Sequence, residues 1–147
     1  MKKYVISVII AALVAVALLV GFIVSIPLVN NASAKNVEKS LVDIELPEKT
    51  ELVESMSRAE KLVGNGNGMQ YFGAILIKSE LSLDELTDYY SEKLDGAVVK
   101  EQKSQNIEFL HGFVSFESEL DENDNYYIVY CFGDGIFPFS ELDIRGH

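Results

Sequence analysis

Residues 4–29 form one uninterrupted apolar run without a charged side chain, and this run constrains the fold more than any other feature. A helix rises 1.5 Å per residue and the hydrocarbon core of a bilayer is about 30 Å thick, so roughly 20 residues are enough to cross it. The run is longer than that. The sequence therefore predicts a transmembrane helix from Tyr4 to Val29, with the lipid bilayer as its partner.

The charges that flank the run predict its orientation. Lys2 and Lys3 precede it, whereas Lys35, Glu38 and Lys39 follow it. Positive charge near a span favours the cytoplasmic side. We therefore expect a single-pass protein in the cell membrane, with a cytoplasmic N-terminus and everything after the span outside.

A cleaved signal peptide is the alternative interpretation of the same segment. Ala32-Ser33-Ala34 has the small-residue pattern of a peptidase site, and cleavage there would release a small secreted protein beginning at Lys35. We expect Pro27 and the pair Asn30-Asn31 to break the helix just before this site. The apolar core of a signal peptide is usually 7–15 residues long, so the length of the run favours a retained anchor.

The composition beyond the run excludes one class of partner. Two of the 12 Lys and Arg residues precede the run, so 10 of them face 23 acidic residues in the remainder, a net charge of −13. Such a surface repels phosphate backbones and anionic lipid headgroups. We expect no nucleic-acid binding.

The chain contains one cysteine, Cys131, so it cannot form an intrachain disulfide. Its apolar surroundings predict a buried thiol that behaves as a small hydrophobic group. The scarcity of cysteine is more typical of a bacterial envelope protein than of a eukaryotic secreted one.

Three segments follow from these patterns. Residues 1–29 are the anchor or signal segment, residues 30–49 a juxtamembrane stalk, and residues 50–147 an extracytoplasmic domain. Val37, Leu41 and Ile44 are spaced like one face of a short helix in the stalk, which Pro47 ends.

The domain has the pattern of an α+β fold, a mostly antiparallel β-sheet with one covering helix. Ser82 and Glu85 form a capping-box pattern that begins a helix ending near Leu94, and Gly96 suits a left-handed position after it. The predicted strands are 51–55 at an edge, 71–78 at the centre, and 97–102, 107–117 and 126–132 after the helix.

Gly64-Asn65-Gly66-Asn67-Gly68 is the densest turn signal in the chain. Glycine and asparagine tolerate positive φ, so it predicts a tight reversal between two strands. A phosphate-binding loop would need a Lys-Ser/Thr pair and a helix after it, but Met69 and Gln70 follow instead.

The acidic turn 121–125 places Asp121, Asn123 and Asn125 at the first, third and fifth positions of a calcium loop. An EF-hand also needs Gly at the sixth position and Glu at the twelfth, where this chain has Tyr126 and Phe132. A solvated turn is therefore favoured, and a looser cation site stays open as an alternative.

No catalytic, cofactor-binding or metal-ligating residue is predicted. His111, His147 and Cys131 lack the spacing of a zinc site, and we expect His111 to be a satisfied residue of a strand. No Gly-x-Ser-x-Gly sequence occurs. The many tyrosines and phenylalanines are expected in the core rather than in a groove.

The C-terminal segment combines two glycines, a proline and large apolar residues. We expect residues 133–139 to fold back and pack on the domain, with Leu142 and Ile144 in a short final element. If Ile136, Phe137 and Phe139 are exposed instead, they form an apolar contact patch.

Together these features predict a membrane-anchored, non-enzymatic binding or interaction module whose partner is an envelope protein or another envelope component. The alternatives are the secreted protein released after Ala34 and an enzyme of unrecognised type. The enzyme would need an acid or a hydroxyl close to His111.

Overall fold

A computed structural model describes residues 2–64 and 68–147. The described chain is an α+β protein with a long apolar helix at its N-terminus, as predicted. The elements in chain order are α1 Lys2–Val42, β1 Thr50–Glu60, β2 Gln70–Ser79, α2 Leu83–Lys93, β3 Val98–Glu101, β4 Tyr126–Gly133, α3 Phe139–Leu142, and a 3₁₀ turn Ile144–Gly146.

Helix α1 is continuous through the point where we expected it to break. Pro27 lies inside it, and Asn30 and Asn31 are helical. The predicted break is therefore wrong. A proline removes only one intrahelical hydrogen bond, that to the carbonyl four residues earlier. Packing of the following turns on the domain favours the helix more than this loss disfavours it.

The two halves of α1 have different surroundings. From Tyr4 to Val24 the apolar side chains are exposed, and this part is long and apolar enough to span a membrane. From Ile26 onward one side of the helix is packed, with Asn30 at 0%, Ala34 at 1% and Leu41 at 0% exposure.

Residues 30–42, which the sequence analysis assigns to a stalk, are therefore part of the domain core. Val37 and Leu41 share one apolar face of the helix, whereas Ile44 lies beyond its end, and all three pack in one cluster with Ile75 and Ile77 of the sheet. Helix packing of this kind buries an apolar stripe that would otherwise be exposed to water. The helix ends at Val42, five residues before Pro47.

In the described part of the chain, four strands form one antiparallel sheet in the order β1-β2-β4-β3. Strand β2 lies between β1 and β4, and its residues from Tyr71 to Ile77 are buried. The predictions of an edge strand in β1, a central strand in β2, and strands in β3 and β4 are confirmed.

The two faces of the sheet are covered by different segments. On one face, Ile75 and Ile77 of β2 pack against α1 and α2. Helix α2 contributes Leu86 and Tyr90 to this cluster. The alternate residues Phe72, Ala74 and Leu76 face the opposite way, because successive side chains of a strand point to opposite faces. That second face is covered by the loop between β3 and β4.

The predicted strand 107–117 is wrong. The segment is a compact loop that makes one isolated bridge, Asn106 to Ser115, and it turns at Gly112 with φ +86°. Its buried residues are Ile107, Leu110, Val114 and Phe116. Their spacing of three, four and two residues does not alternate, so a straight strand could not bring them all to one face.

Helix α2 begins as predicted. Ser82 is its N-cap, the Glu85 N–H donates to Ser82 Oγ, and Glu85 Oε2 accepts from the Ser82 N–H at 2.8 Å. Gly96 follows the helix with φ +77°, the left-handed conformation that glycine adopts without strain.

The reversal predicted at 64–68 falls partly on residues 65–67, which lie outside the described residues. Gly64 and Gly68 on either side have φ +73° and +131°. Both glycines lie between β1 and β2. The two strands pair antiparallel, and Glu60 opposite Gln70 is the pair nearest the reversal. A strand rather than a helix follows the glycines, as the turn interpretation requires.

We predict that Gly73→Ala destabilises the domain by about 1–3 kcal/mol. A Cβ at residue 73 would overlap the backbone of Val37 and Glu38, so α1 would have to move away from β2. Denaturant unfolding of the full-length protein in detergent measures the change.

Gly21→Ala is the matched control, because no atom lies within 4 Å of the position that its Cβ would occupy. Equal free energies of unfolding for the two variants would contradict the close approach of α1 and β2.

Candidate functional site

A hydrogen-bonded cluster of buried polar side chains lies where the packed half of α1 meets the C-terminal segment. It consists of Asn30, Tyr71, Asp143 and Arg145, which we call the junction cluster. The first comes from α1, the second from the start of β2, and the last two from the end of the chain. The cluster therefore joins three parts of the chain that are distant in sequence.

The Asn30 side chain is completely buried and uses both ends of its amide. Its Nδ2 donates to Asp143 Oδ2 at 2.8 Å and to the Phe139 carbonyl at 3.0 Å. Its Oδ1 accepts from the Tyr71 hydroxyl at 2.7 Å. Burial of an amide is unfavourable unless its donors and acceptors are paired, and here they are.

Asp143 is 3% exposed and is held mainly by Arg145. The guanidinium donates from Nε to Oδ1 at 2.9 Å and from an Nη to Oδ2 at 2.6 Å, a bidentate pair. The hydrogen bonds from Arg145, together with that from Asn30, hold the pKa of Asp143 well below its ordinary value despite burial. Arg145 also donates to Asn31 Oδ1 at 2.9 Å, so the pair is fixed to α1.

Tyr71 completes the cluster from the sheet. Its ring packs with Ala34 and Ala59, and Gly135 passes so close to the ring that a Cβ there would overlap it. Burial, and then the negative charge of Asp143, raise the pKa of the Tyr71 hydroxyl. It therefore stays protonated and serves as the donor to Asn30.

A second buried polar contact ties α1 to the edge strand. The Glu38 carboxylate is 3% exposed, and its Oε1 accepts from Lys35 Nζ and from Ser55 Oγ, each at 2.7 Å. Burial raises the pKa of Glu38, but the hydrogen bonds from Lys35 and Ser55 together lower it by more. The pKa of Glu38 therefore lies below its usual value. The carboxylate is paired within the protein.

The C-terminal segment does not pack as expected. Phe139 is half-buried and its ring lies 5.7 Å from that of Phe22, but Ile136 is 54% and Phe137 80% exposed. The prediction of a packed segment is wrong for these two residues, and the alternative of an exposed apolar patch applies to them. Leu142 and Ile144 do belong to short final elements, α3 and the 3₁₀ turn.

The acidic turn 121–125 lies at the opposite end of the sheet. Asp121 Oδ1 accepts from the N–H of Asn123 and from its side chain, and Asp124 pairs with Lys78 at 2.7 Å. An open depression of about 450 Å³ lies beside it, lined also by Glu101 and Tyr127. The carboxylates of Asp121 and Asp124 are thus bound to groups of the protein itself.

The fold does not bring His111 and Cys131, the residues weighed above as metal ligands or catalytic groups, into a common site. His111 is exposed in the loop 106–117, not in a strand, and its backbone N–H donates to the Leu62 carbonyl at 2.6 Å. Cys131 is buried in β4, and burial raises the pKa of its thiol. Within residues 2–64 and 68–147, no three His, Cys, Asp or Glu side chains are grouped closely enough to hold a metal ion.

One buried polar atom has no partner within the described part of the chain. The Tyr90 hydroxyl lies in the core between α2 and the sheet, and burial raises its pKa to about 12. Its side chain belongs to an apolar cluster that includes Leu41, Leu86 and Val129. A hydroxyl in such surroundings does not offer acid–base chemistry near neutral pH.

Sequence reasoning did not find the junction cluster. One available signal was the spacing of Asn30, Ala34, Val37 and Leu41, which continues the apolar face of α1 across a polar residue. Nothing in the sequence indicated which groups Asn30 meets, because Tyr71 and Asp143 are 41 and 113 residues away.

The arrangement as a whole can hold the C-terminal segment against α1. The cluster has no exposed nucleophile and no free base, since the carboxylate, amide and hydroxyl are each paired. Compared with protein-family models, curated proteins and solved structures, the chain matches none.

We predict that Asn30→Ala destabilises the protein by about 1–3 kcal/mol, because it leaves the buried Tyr71 hydroxyl without its acceptor and removes one of the two hydrogen bonds to Asp143 Oδ2. Hydrogen exchange should also become faster in residues 139–146. Asn36→Ala, an exposed position on the same helix, is the control. Equal effects of the two variants would show that the cluster contributes nothing.

We predict that the stability difference between the native protein and Asp143→Asn becomes smaller in acid. The folded-state pKa of Asp143 lies below its unfolded value of 3.8, so its charge stabilises the fold above that pH and the contribution is lost as the pH falls further. Unfolding of both proteins at about pH 7 and about pH 3 measures this.

Other carboxylates titrate in the same range, but they are present in both proteins and cancel in the difference. A difference that stays constant or increases at low pH would contradict the assigned role of Asp143.

Proposed function

We propose that this protein is a single-pass membrane protein whose domain is held directly at the membrane surface, outside the cytoplasm, as a non-enzymatic binding module. The observation that carries the proposal is the continuity of α1. The same helix has an exposed apolar half long enough to cross a bilayer and a second half that forms part of the domain core. An exposed apolar helix of this length is unfavourable in water and favourable in lipid.

Retention of the helix is favoured over cleavage by the burial of the peptidase-like site. Ser33 is 6% and Ala34 1% exposed, and both are helical. Proteolysis requires accessible, unfolded backbone, which this site does not offer in the folded protein. Cleavage after Ala34 would also remove Asn30, and with it the acceptor of the Tyr71 hydroxyl and one hydrogen-bond donor to Asp143.

The flanking charges support the extracytoplasmic placement of the domain. The residues before the apolar run are basic, whereas the domain is strongly acidic. By the positive-inside rule the basic end stays in the cytoplasm. The net charge of the domain also disfavours contact with nucleic acid.

A binding role rather than catalysis is supported by the state of the titratable groups. Buried carboxylates such as Glu38 and Asp143 are engaged in internal ion pairs, and His111 is exposed on a loop. The partner is an envelope protein or another envelope component. The depression beside the acidic turn, at the end of the sheet away from the span, is the surface best placed to meet it.

We predict that the protein is recovered intact in the membrane fraction and resists extraction by alkaline carbonate. N-terminal sequencing should give Met1 or Lys2, because the site after Ala34 is helical and buried. Gly73→Ala provides an internal comparison, since loosening α1 should expose the site and increase cleavage. Recovery from the culture medium with Lys35 at the N-terminus would overturn the proposal.

The side of the membrane is measured on the same protein. Glu48→Cys places an accessible thiol in the loop before β1, and native Cys131 gives little background because it is buried. A membrane-impermeant maleimide should label this variant in intact cells. A cysteine inserted after Met1 is the control and should react only after permeabilisation. If the cysteine after Met1 reacts in intact cells and Glu48→Cys reacts only after permeabilisation, the orientation is the reverse of the proposed one.

A further inference from the structure

The polarity of the domain surface is ordered along the direction of α1. Helix α1 runs beside β2 in the same direction, since Asn30 meets Tyr71, Val37 and Glu38 meet Gly73, and Leu41 lies by Ile75. The end of the sheet that contains Glu60, Gln70 and Gly133 is therefore next to the apolar half of α1. We call it the proximal end, and the end with Thr50, Ser79 and Tyr126 the distal end.

The most exposed apolar side chains of the domain lie at the proximal end. Outside α1, and within residues 2–64 and 68–147, four large apolar side chains are more than half exposed: Ile136 54%, Phe137 80%, Phe113 104% and Ile144 87%. Two of these follow Gly133, and the turn that contains Ile144 is hydrogen-bonded to Lys61, just after Glu60.

Phe113 belongs to the same end. It comes two residues after His111, whose N–H donates to the carbonyl of Leu62. Exposed apolar side chains grouped at one end of a domain mark a contact site, whereas scattered ones do not.

The distal end has the opposite character. The segments 43–49 and 117–125 together contain eight acidic residues and one lysine. The segments at the proximal end, 61–69 and 134–147, contain three acidic and two basic residues. Acidic groups are thus concentrated away from the span, where they would not be repelled by anionic headgroups or removed from water.

The depth of the proximal end is fixed by the contact between Phe22 and Phe139, whose ring centroids are 5.7 Å apart. A bilayer core takes roughly 20 helical residues. Every window of that length inside the run Tyr4–Val29 includes Phe22. Phe22 is then at most seven residues from the end of the window, so Phe139 lies at the edge of the hydrocarbon core or inside it wherever the span is centred, and Phe137 is only two residues away.

We infer that the apolar side chains of the C-terminal segment, Phe137 and Ile144 foremost, insert into the interfacial layer of the same membrane that α1 spans. The occupant of this surface is the lipid bilayer, because the surface is continuous with the span. This inference rests on the proposed anchoring of α1. The domain would then contact the membrane through its base as well as through its helix, and its acidic end would point away.

Single tryptophans test this in the full-length protein, which has no tryptophan of its own. The protein is reconstituted in phosphatidylcholine vesicles whose acyl chains are either plain or brominated, since bromine quenches tryptophan only at short range. Phe137→Trp reports the proximal end, Leu13→Trp the centre of the apolar run, and Leu52→Trp, which is 41% exposed in β1, a distal surface.

We expect brominated lipid to quench Leu13→Trp and Phe137→Trp, with the emission of Phe137→Trp shifted to the blue of Leu52→Trp. Leu52→Trp should keep its intensity. Ile144→Trp is a second reporter for the proximal end if Phe137→Trp folds poorly, because Ile144 is 87% exposed and its replacement disturbs little packing.

The outcomes separate the two proposals. One outcome overturns the inference and leaves the anchor intact. In it, Leu13→Trp is quenched, but Phe137→Trp and Ile144→Trp are quenched no more than Leu52→Trp. Absence of quenching in Leu13→Trp would overturn the anchor, and the inference with it. Equal quenching at all four positions would also overturn it, because the domain would then have no orientation towards the lipid.

Discussion

The close approach of α1 to β2 at Gly73 is the contact on which the rest of the structure depends. No side chain fits between the helix and the strand at that point. Because the helix lies so close, Leu41 reaches Ile75 and Ile77, and Asn30 reaches the hydroxyl of Tyr71. Without residues 30–42 on the sheet, one face of β2 would lose much of its cover, and a sheet face of that composition is unstable in water.

This contact has a consequence for how the domain would be held at the proposed membrane. A flexible stalk would let the domain sample many positions, but a helix that is continuous from Lys2 to Val42 does not. The junction cluster adds a second restraint, since Arg145 and Asp143 connect the end of the chain to Asn30 and Asn31. The membrane-facing and partner-facing surfaces of the proposed module would therefore be set by the fold itself.

Local sequence signals predicted those elements whose stability is largely local. The Ser82–Glu85 capping box, the continuous apolar strand at 71–78 and the aromatic strand at 126–132 each contain their own evidence. The segment 107–117 did not, because it gains its stability from packing on Phe72 and Tyr130 rather than from strand pairing. Its apolar residues alternate weakly, which resembles a strand. The sequence does not show that they pack on Phe72 and Tyr130 instead.

The same distinction applies to the candidate site. Asn30 looked like a helix breaker beside Pro27, since an asparagine side chain competes for hydrogen bonds with the nearby backbone and so disfavours the interior of a helix. Its partners Tyr71 and Asp143 come from remote parts of the chain, and only the folded sheet brings them within 3 Å. Likewise, the exposure of Phe137 depends on where Phe139 docks on Phe22.

The sequence by itself determined that a charge-free run from Tyr4 to Val29 precedes an acidic α+β domain, because hydropathy and strand or helix periodicity are properties of neighbouring residues. Only the tertiary structure decided that the helix continues into the core and that Phe139 of the C-terminal segment lies beside Phe22 in the apolar half of α1. Those features arise from contacts between residues far apart in the chain, and such contacts leave no periodic signal in a single sequence.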